Sequence, residues 1–297
     1  MTTQPLVSVR LVAYNHEKWI AQCLESILMQ RTDFPFEVIV GEDCSTDRTR
    51  EIVLAYAGNY PDKIRVLPSE ANLGHMLNSY RVQQACRGKY HAMIEGDDYW
   101  IDPLKLQKQA DFIEAHPDVS LCFHNALILN ETHAATRLFF ETPFQEILDF
   151  EAVYQVTLPM ASLMARSDVL ATLPDWRLKI WCGDLLFRLW CAHHGNFGYF
   201  DQIMSVYRRH AGGMALDRQL QGHRAYFDDV YYTLQEFDKA THFAHTDLIQ
   251  REIARLKEIQ VRHRIRGRWY YLARPSQIIA RFKRYADWID RQEKLFR

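Results

Sequence analysis

Tyr90-His91-Ala92-Met93-Ile94-Glu95-Gly96-Asp97-Asp98 is an apolar run that ends in three carboxylates around one glycine, and Tyr99-Trp100-Ile101-Asp102-Pro103 follows it. Five residues bounded by Gly and Asp are too few for a helix and read as a buried strand. The acids therefore stand at a strand's mouth, where hard divalent cations and the phosphates they carry are held by oxygen ligands. The competing reading is a solvated acidic turn that leads into a helix capped by Asp102.

The segments on either side decide what that strand belongs to. Residues 7–14 and 36–40 are strand-like, and 64–67 is a third short strand. Between them, 17–30 has helical spacing through Ile20, Leu24, Ile27 and Leu28, and a second helix runs from about 46 or 47 to Tyr60, before Pro61. A third helix is predicted over 75–86, a fourth from Asp102 as N-cap and Pro103 as first helical residue to about His116, and a fifth strand over 119–124. Strands alternating with helices of this length predict an α/β fold, a mainly parallel sheet flanked by helices on both faces. The ligand crevice of such a sheet lies outside the carboxyl ends of its strands. Polar residues gather at those ends: Tyr14-Asn15-His16, then Gly41-Glu42-Asp43-Cys44-Ser45, then Pro68-Ser69-Glu70-Ala71-Asn72, then the acidic turn.

Beyond Asn125 the pattern fades. Residues 125–157 show no clear period, 163–165 fit a strand, 185–193 a helix and 203–207 another strand. After Ala211-Gly212-Gly213 the composition becomes that of long helices, over about 216–240, 246–266 and 276–296. A boundary near 215 is expected, with residues 1–215 as the catalytic domain and 216–297 as a helical C-terminal extension.

The 297 residues are 48% hydrophobic and 25% charged, enough for a sizeable core and unlike a disordered or fibrous chain. Residues 1–5 lead into the first strand without a basic and apolar secretory pattern, and no stretch reaches the apolar length of a membrane span. Cys23, Cys44, Cys86, Cys122, Cys182 and Cys191 are scattered without metal-knuckle spacing. A cytoplasmic protein with reduced thiols is expected. The net charge of −1 conceals a basic tail: residues 260–297 hold eleven Arg and Lys against three acids. Basic residues confined to the tail of an acidic body argue against nucleic-acid binding. In the tail, Ile278, Phe282, Tyr285, Ile289 and Phe296 share a helical stripe flanked by Arg281, Lys283, Arg284, Arg291 and Lys294. That pattern suits either a helix lying at the inner face of an anionic membrane, making the protein peripheral there, or a helix packed on the body.

Three further clusters carry chemistry. Asp43 follows an apolar strand, and a carboxylate there suits a uracil N3 proton or a ribose hydroxyl, while Ser45 or Asp47 caps the next helix. Asp184, after Trp181-Cys182-Gly183, is read either as a helix N-cap or as a general base, with Trp181 offering an aromatic face to a sugar acceptor. His210 in Tyr207-Arg208-Arg209-His210 either joins a metal shell, touches a phosphate or does neither, and Arg208 and Arg209 read equally as surface charge.

Val7-Ser8-Val9 running to Ala13-Tyr14-Asn15, Glu42-Asp43-x-Ser45-x-Asp47, Asn72-Leu73-Gly74 with Asn78, and Glu95-Gly96-Asp97-Asp98 together resemble the inverting family 2 glycosyltransferases of the GT-A fold. The resemblance covers about 5–120 strongly and 158–213 more thinly. It implies that Ala13, Tyr14, Asn15, Glu17, Asp43, Asn72 and Gly74 hold a nucleotide-sugar donor, a UDP-sugar, and that Asp97 touches both donor and metal. Asp97 and Asp98 match the family's metal-binding element for Mn2+ or Mg2+, with His210 as a further ligand, and Asp184 matches its base. Glu95 stands where many relatives place Asp, so it is expected to meet the donor sugar or ribose and not the ion. The implied reaction moves a sugar to a saccharide or lipid-linked acceptor in surface polysaccharide biosynthesis. A sugar nucleotidyltransferase would need a glycine-rich loop where Ala13-Tyr14-Asn15-His16 stands, and a non-catalytic glycan- or nucleotide-sugar-binding module would not need Asp97, Asp98 and Asp184 together.

Overall fold

A computed structural model describes residues 4–132, 134–154, 156–181, 183–213 and 223–271. Its centre is a ten-stranded sheet. Strands β1 (Val7–Ala13), β2 (Phe36–Glu42), β3 (Ile64–Pro68) and β4 (Tyr90–Glu95) pair in parallel in the order β3-β2-β1-β4. The helices between them are α1 (Ile20–Leu28), α2 (Thr49–Asn59) and α3 (His75–Ala85). Val7, Val9, Leu11 and Ala13 alternate onto one face of β1, against Ile20, Cys23, Leu24 and Ile27 of α1, and all eight are buried. That period of two meeting a period of 3.6 fixes the register of the first crossover.

The second half departs from a purely parallel sheet. After the two-residue β5 (Tyr99–Trp100) and helix α4 (Lys105–Ala115), β6 runs from Val119 to Asn130. It returns through β7 (Ala135–Leu138), and β8 (Ile147–Leu148) and the short helix α5 (Phe150–Val153) follow. Strand β9 (Met164–Arg166) then inserts antiparallel between β4 and β6, and after helices α6 (Ser167–Ala171) and α7 (Gly183–His194) the long β10 (Asn196–Arg209) lies parallel to β6. The sheet is mixed, with four parallel and five antiparallel pairings among the described residues.

Two expectations shift. The strand predicted over 119–124 continues to Asn130 because its first eight residues are buried on both faces, which leaves no alternation to read. Asp102 does not sit at the N-cap of α4: Leu104 does, while Asp102 Oδ1 accepts from the Leu104 amide at 2.8 Å and closes the turn before the helix.

Helices α8 (His223–Ala240) and α9 (Thr246–Tyr271) complete the described chain. Phe227, Val230, Leu234, Phe237, Ile249, Ile253 and Leu256 join the same buried cluster as Met93 of β4, Phe123 of β6 and Leu189 of α7. The boundary predicted near 215 and the amphipathic stripe over 276–296 lie outside the described residues. Among those residues, no helix is long and apolar enough to cross a membrane.

Candidate active site

The loops after β1 and β2 are bonded to each other before any ligand is considered. Asn15, with φ of 56°, turns its amide to Ser45 Oγ at 3.0 Å and accepts from the Thr46 amide at 2.8 Å. Asn is among the few residues that tolerate this left-handed conformation. The Glu17 amide donates to Asp47 Oδ2 at 3.0 Å, and Glu17 Oε2 accepts from the Arg48 amide at 3.0 Å. Neither Ser45 nor Asp47 is the N-cap expected of α2: Arg48 stands there, while Asp47 Oδ1 takes the Thr49 amide at 2.9 Å and closes the turn before the helix. Burial raises the Asp47 carboxyl, but the Thr49 and Glu17 bonds outweigh it and leave it below the usual range. Asn15 and Glu17 therefore build the crevice rim, with Tyr14 exposed just before Asn15 and Ala13 buried at the end of β1.

Asp43 is buried, and both its oxygens are engaged: Oδ1 accepts from Leu73 N at 2.8 Å and Oδ2 from Gly74 N at 2.9 Å. The expectation was a carboxylate aimed into the crevice; the structure uses it to hold the loop after β3. Asn72 Oδ1 accepts from the same Gly74 amide, and Gly74, at φ 79°, enters α3 through a conformation that side chains disfavour.

The acidic turn is where the sheet's two halves meet. A Cβ on Gly96 would lie 2.6 Å from His16 Nδ1 and 2.9 Å from Ile20 Cδ1, so the turn has room for glycine alone. Asp97 Oδ2 lies 3.0 Å from His210 Nε2 and 3.9 Å from His16 Nε2, while Oδ1 is buried with no hydrogen-bond partner. Burial raises the Asp97 carboxyl, but the His210 bond and the charge of His16 outweigh it, so it stays below the usual range and ionised. Burial also lowers His16, against the opposing pull of Asp97.

Asp98, expected beside Asp97 at an ion, has a different geometry. It is 1% exposed, and Oδ1 accepts from the Arg208 amide at 2.8 Å, tying the turn to the end of β10. Burial, then the charges of Asp97 and Glu95, hold its carboxyl well above the usual range. Arg208 is not surface charge: at 8% exposure it donates to the Asp97 carbonyl (2.7 Å), Gln22 Oε1 (2.7 Å) and Glu131 Oε1 (2.9 Å). Trp19 donates to the same Glu131 oxygen at 2.9 Å, and its ring packs against His210 with centroids 4.0 Å apart. His16, Trp19, Gln22, Arg208 and Glu131 thus belong to the site, although the sequence reading gave them no role there. The separations of Glu131 and Arg208 from the acidic turn along the chain left no local pattern to find.

The remaining residues stand across the crevice. Glu95 Oε1 is 4.0 Å from His75 Nδ1, in the first turn of α3. A Cβ on Gly183 would come 2.3 Å from Met76 Sδ, so the start of α7 is pressed against that same turn. Asp184 follows that contact, exposed, within the first turn of α7 and not at its cap, with Arg188 one turn on. Trp181, 52% exposed, is fixed by its amide to Asp229 Oδ1 of α8 at 2.8 Å.

Among the described residues, no group of three or more His, Cys, Asp and Glu forms a ready metal cage. An ion completed by substrate phosphates needs less: one or two carboxylates from the protein suffice for Mg2+. The unpartnered buried oxygen of Asp97, with His210 beside its other oxygen, fits that smaller donor set.

Comparison with known proteins bears on the fold and the family. The chain is 35% identical over 211 residues to an uncharacterized protein of Mycobacterium tuberculosis, covering 70% of this chain and 60% of that one. It is 29% identical over 210 residues to an uncharacterized glycosyltransferase of Methanocaldococcus jannaschii, covering 69% and 71%. The crystal structure of Staphylococcus aureus TarS residues 1–349 in complex with UDP-GlcNAc superimposes with a TM-score of 0.65 at 22% identity, covering 84% of this chain and 71% of that one, which shows a shared fold. This chain spans about 60% of the length of its mycobacterial relatives. The model of glycosyl transferase family 2 matches residues 8–170, from β1 through the acidic turn to α6, and with the strand-end site just described this chain belongs to that family.

Proposed function

We propose that the chain is an inverting glycosyltransferase that moves a sugar from a uridine diphosphate donor to a hydroxyl of a saccharide or lipid-linked saccharide in surface polysaccharide assembly. The observation that carries this reading is Asp97, kept ionised at the sheet's mouth between His210 and His16 with one oxygen unpartnered. Support for the donor comes from the TarS complex with UDP-GlcNAc, and for a polymeric acceptor from the 37% identity over 118 residues with S. aureus poly(ribitol-phosphate) β-N-acetylglucosaminyltransferase TarS.

In this reading the rim of Ala13, Tyr14, Asn15 and Glu17 and the 72–74 loop held by Asp43 enclose the nucleotide, and Glu95 meets the donor sugar. Asp97 and His210 would hold a Mn2+ or Mg2+, with Asp98 behind them as the anchor to β10. When bound, that ion neutralises charge on the departing diphosphate. The acceptor oxygen forms a bond to the anomeric carbon as the bond to the diphosphate oxygen breaks, and Asp184 takes the acceptor proton. Trp181 offers its exposed ring to the apolar face of the acceptor.

Detection of UDP release from a panel of UDP-sugars, with saccharide acceptors present, tests the activity. Asp184→Asn is expected to bind donor normally and lose about 10²-fold or more in turnover. Turnover close to that of the native chain would remove Asp184 from the base role, and no UDP release from any pair would overturn the reading.

A further inference from the structure

Two arginines are buried on the α3 face of the sheet, and among the described residues neither forms an ion pair with a carboxylate. Arg10 rises from β1 and is 7% exposed; its Nη2 donates to Ser79 Oγ at 2.8 Å and to the Ser79 carbonyl at 3.1 Å, while Nε is buried without a partner. Arg177, in the short helical turn Asp175–Lys179, is 6% exposed. Its guanidinium carbon lies 4.8 Å from the centre of the Tyr80 ring, one residue along α3 from Ser79, and its Nε and Nη1 are buried without partners. His91 adds a third group: it pairs with Ser8 in the β4–β1 register, one step from Arg10 on the same face, and its buried Nδ1 also has no partner.

The electrostatics agree with this crowding. Burial lowers Arg10 to about 10, and the charge of Arg177 adds to that against the neighbouring thiols Cys86 and Cys191. Burial, then the charge of Arg10, pushes His91 down to about 3, so its ring is neutral and free to donate. Burial lowers Arg177 as well, against the opposing pulls of Tyr80, which also hydrogen-bonds it, and of the exposed Asp175. A guanidinium does not shed its charge at neutral pH, and paired buried charges of one sign are strongly unfavourable without a counter-ion.

We propose that Arg10, Arg177 and His91 hold one small inorganic anion, of the size and charge of chloride, between α3 and the sheet. A monatomic ion is favoured over a tetrahedral oxyanion because the buried groups without partners are few, Arg10 Nε, Arg177 Nε and Nη1 and His91 Nδ1, too few to satisfy four oxygens. The ion would tie the middle of α3 to β1 and β4, and so fix the helix whose first turn carries His75 toward Glu95. The site lies apart from the transfer chemistry and does not depend on it.

The test uses the full chain crystallised from bromide, with anomalous scattering measured at the bromine edge. A bromide peak within about 3.5 Å of Arg10 Nε and Arg177 Nε or Nη1 is expected. In parallel, the thermal midpoint is followed as chloride replaces gluconate at constant ionic strength. It should rise by about 5 °C once chloride reaches roughly a hundred times its Kd, and Arg10→Met should abolish that response. Bromide found only on exposed lysines, an adventitious ion only, overturns the proposal, as does an equal chloride response in the variant. Should Arg10→Met fail to fold, the bromide map of the native chain decides alone.

Discussion

Lys105 gives the sharpest physical test of how the turn around the site is supported. It is 0% exposed beneath β5; its Nζ donates to Gln109 Oε1 at 2.6 Å and sits 4.3 Å from the centre of the Trp100 ring, whose Nε1 donates to the Ala161 carbonyl at 2.8 Å. Burial lowers the Lys105 amine from 10.5 to about 7, against small opposing pulls from Cys122 and Asp102. Between pH 7 and 10.5 the unfolded chain therefore binds a proton that the folded protein has released, so stability rises with pH across that window. Below pH 7 both states are protonated and the whole burial penalty stands. The shift converts to a ceiling of about 5 kcal/mol, at 1.36 kcal/mol per unit. Lys105→Met keeps the stem's volume and removes the charge, but strands Gln109 Oε1 at a cost of about 1–3 kcal/mol. The variant should be more stable than the native chain by about 2 kcal/mol at pH 6.5. That advantage should shrink by roughly 1.4 kcal/mol per pH unit above 7 and then reverse. Urea unfolding of both proteins at pH 6.5, 7.5, 8.5 and 9.5 measures the difference directly, with every other titration cancelling. A difference that stays constant across those pH values would refute an uncharged buried lysine.

Three other substitutions probe the site's frame. Gly96→Ala should force His16 and Ile20 apart, costing about 1–3 kcal/mol in urea melts and lowering UDP release at least about tenfold, because His16 is moved from Asp97. Arg208→Met leaves the Asp97 carbonyl, Gln22 and Glu131 without their shared donor, and a loss of about 3–5 kcal/mol by the same melts is expected. Asp98→Asn keeps an oxygen for the Arg208 amide and removes a charge that burial disfavours, so it should unfold no earlier than the native chain at pH 7.5. Since a carboxyl held above its unfolded value weakens the fold as pH rises past about 4, that variant should also show a flatter stability profile from pH 4 to 7.

The first 120 residues were legible because short strands there alternate with helices and end in polar residues. Val7, Val9, Leu11 and Ala13 announce β1 by alternation, and Pro61 and Gly74 mark where helices stop and start. Past Asn125 that legibility fails for a physical reason. Strand β6 is covered on both faces, and β10 carries register shifts around Asp201 and Gln202, so neither displays a period of two along its length. The site residues divide the same way. Asp43, Asp97 and His210 stand out as polar residues at strand ends, but Glu131 and Arg208 become neighbours only after β6 and β10 pair and their ends converge on Trp19. No spacing along the chain encodes that meeting.

The acidic turn shows why adjacency in sequence misleads about role. Past β4 the chain turns, the Asp98 amide donating to the Glu95 carbonyl at 3.0 Å, and Asp97 emerges toward His210 and His16 while Asp98 turns in against the amide of Arg208. The same burial acts on both carboxyls, and their partners separate them: imidazoles hold Asp97 ionised, and the like charges of Asp97 and Glu95 drive Asp98 the other way. One carboxylate is thereby left able to meet a cation, and its neighbour is kept as a buried hydrogen-bonded strut. A motif reading that counts acids treats the pair as two equivalent ligands. The geometry leaves one oxygen of Asp97 unpartnered at the sheet's mouth and uses Asp98 to join the sheet's halves through the Arg208 amide.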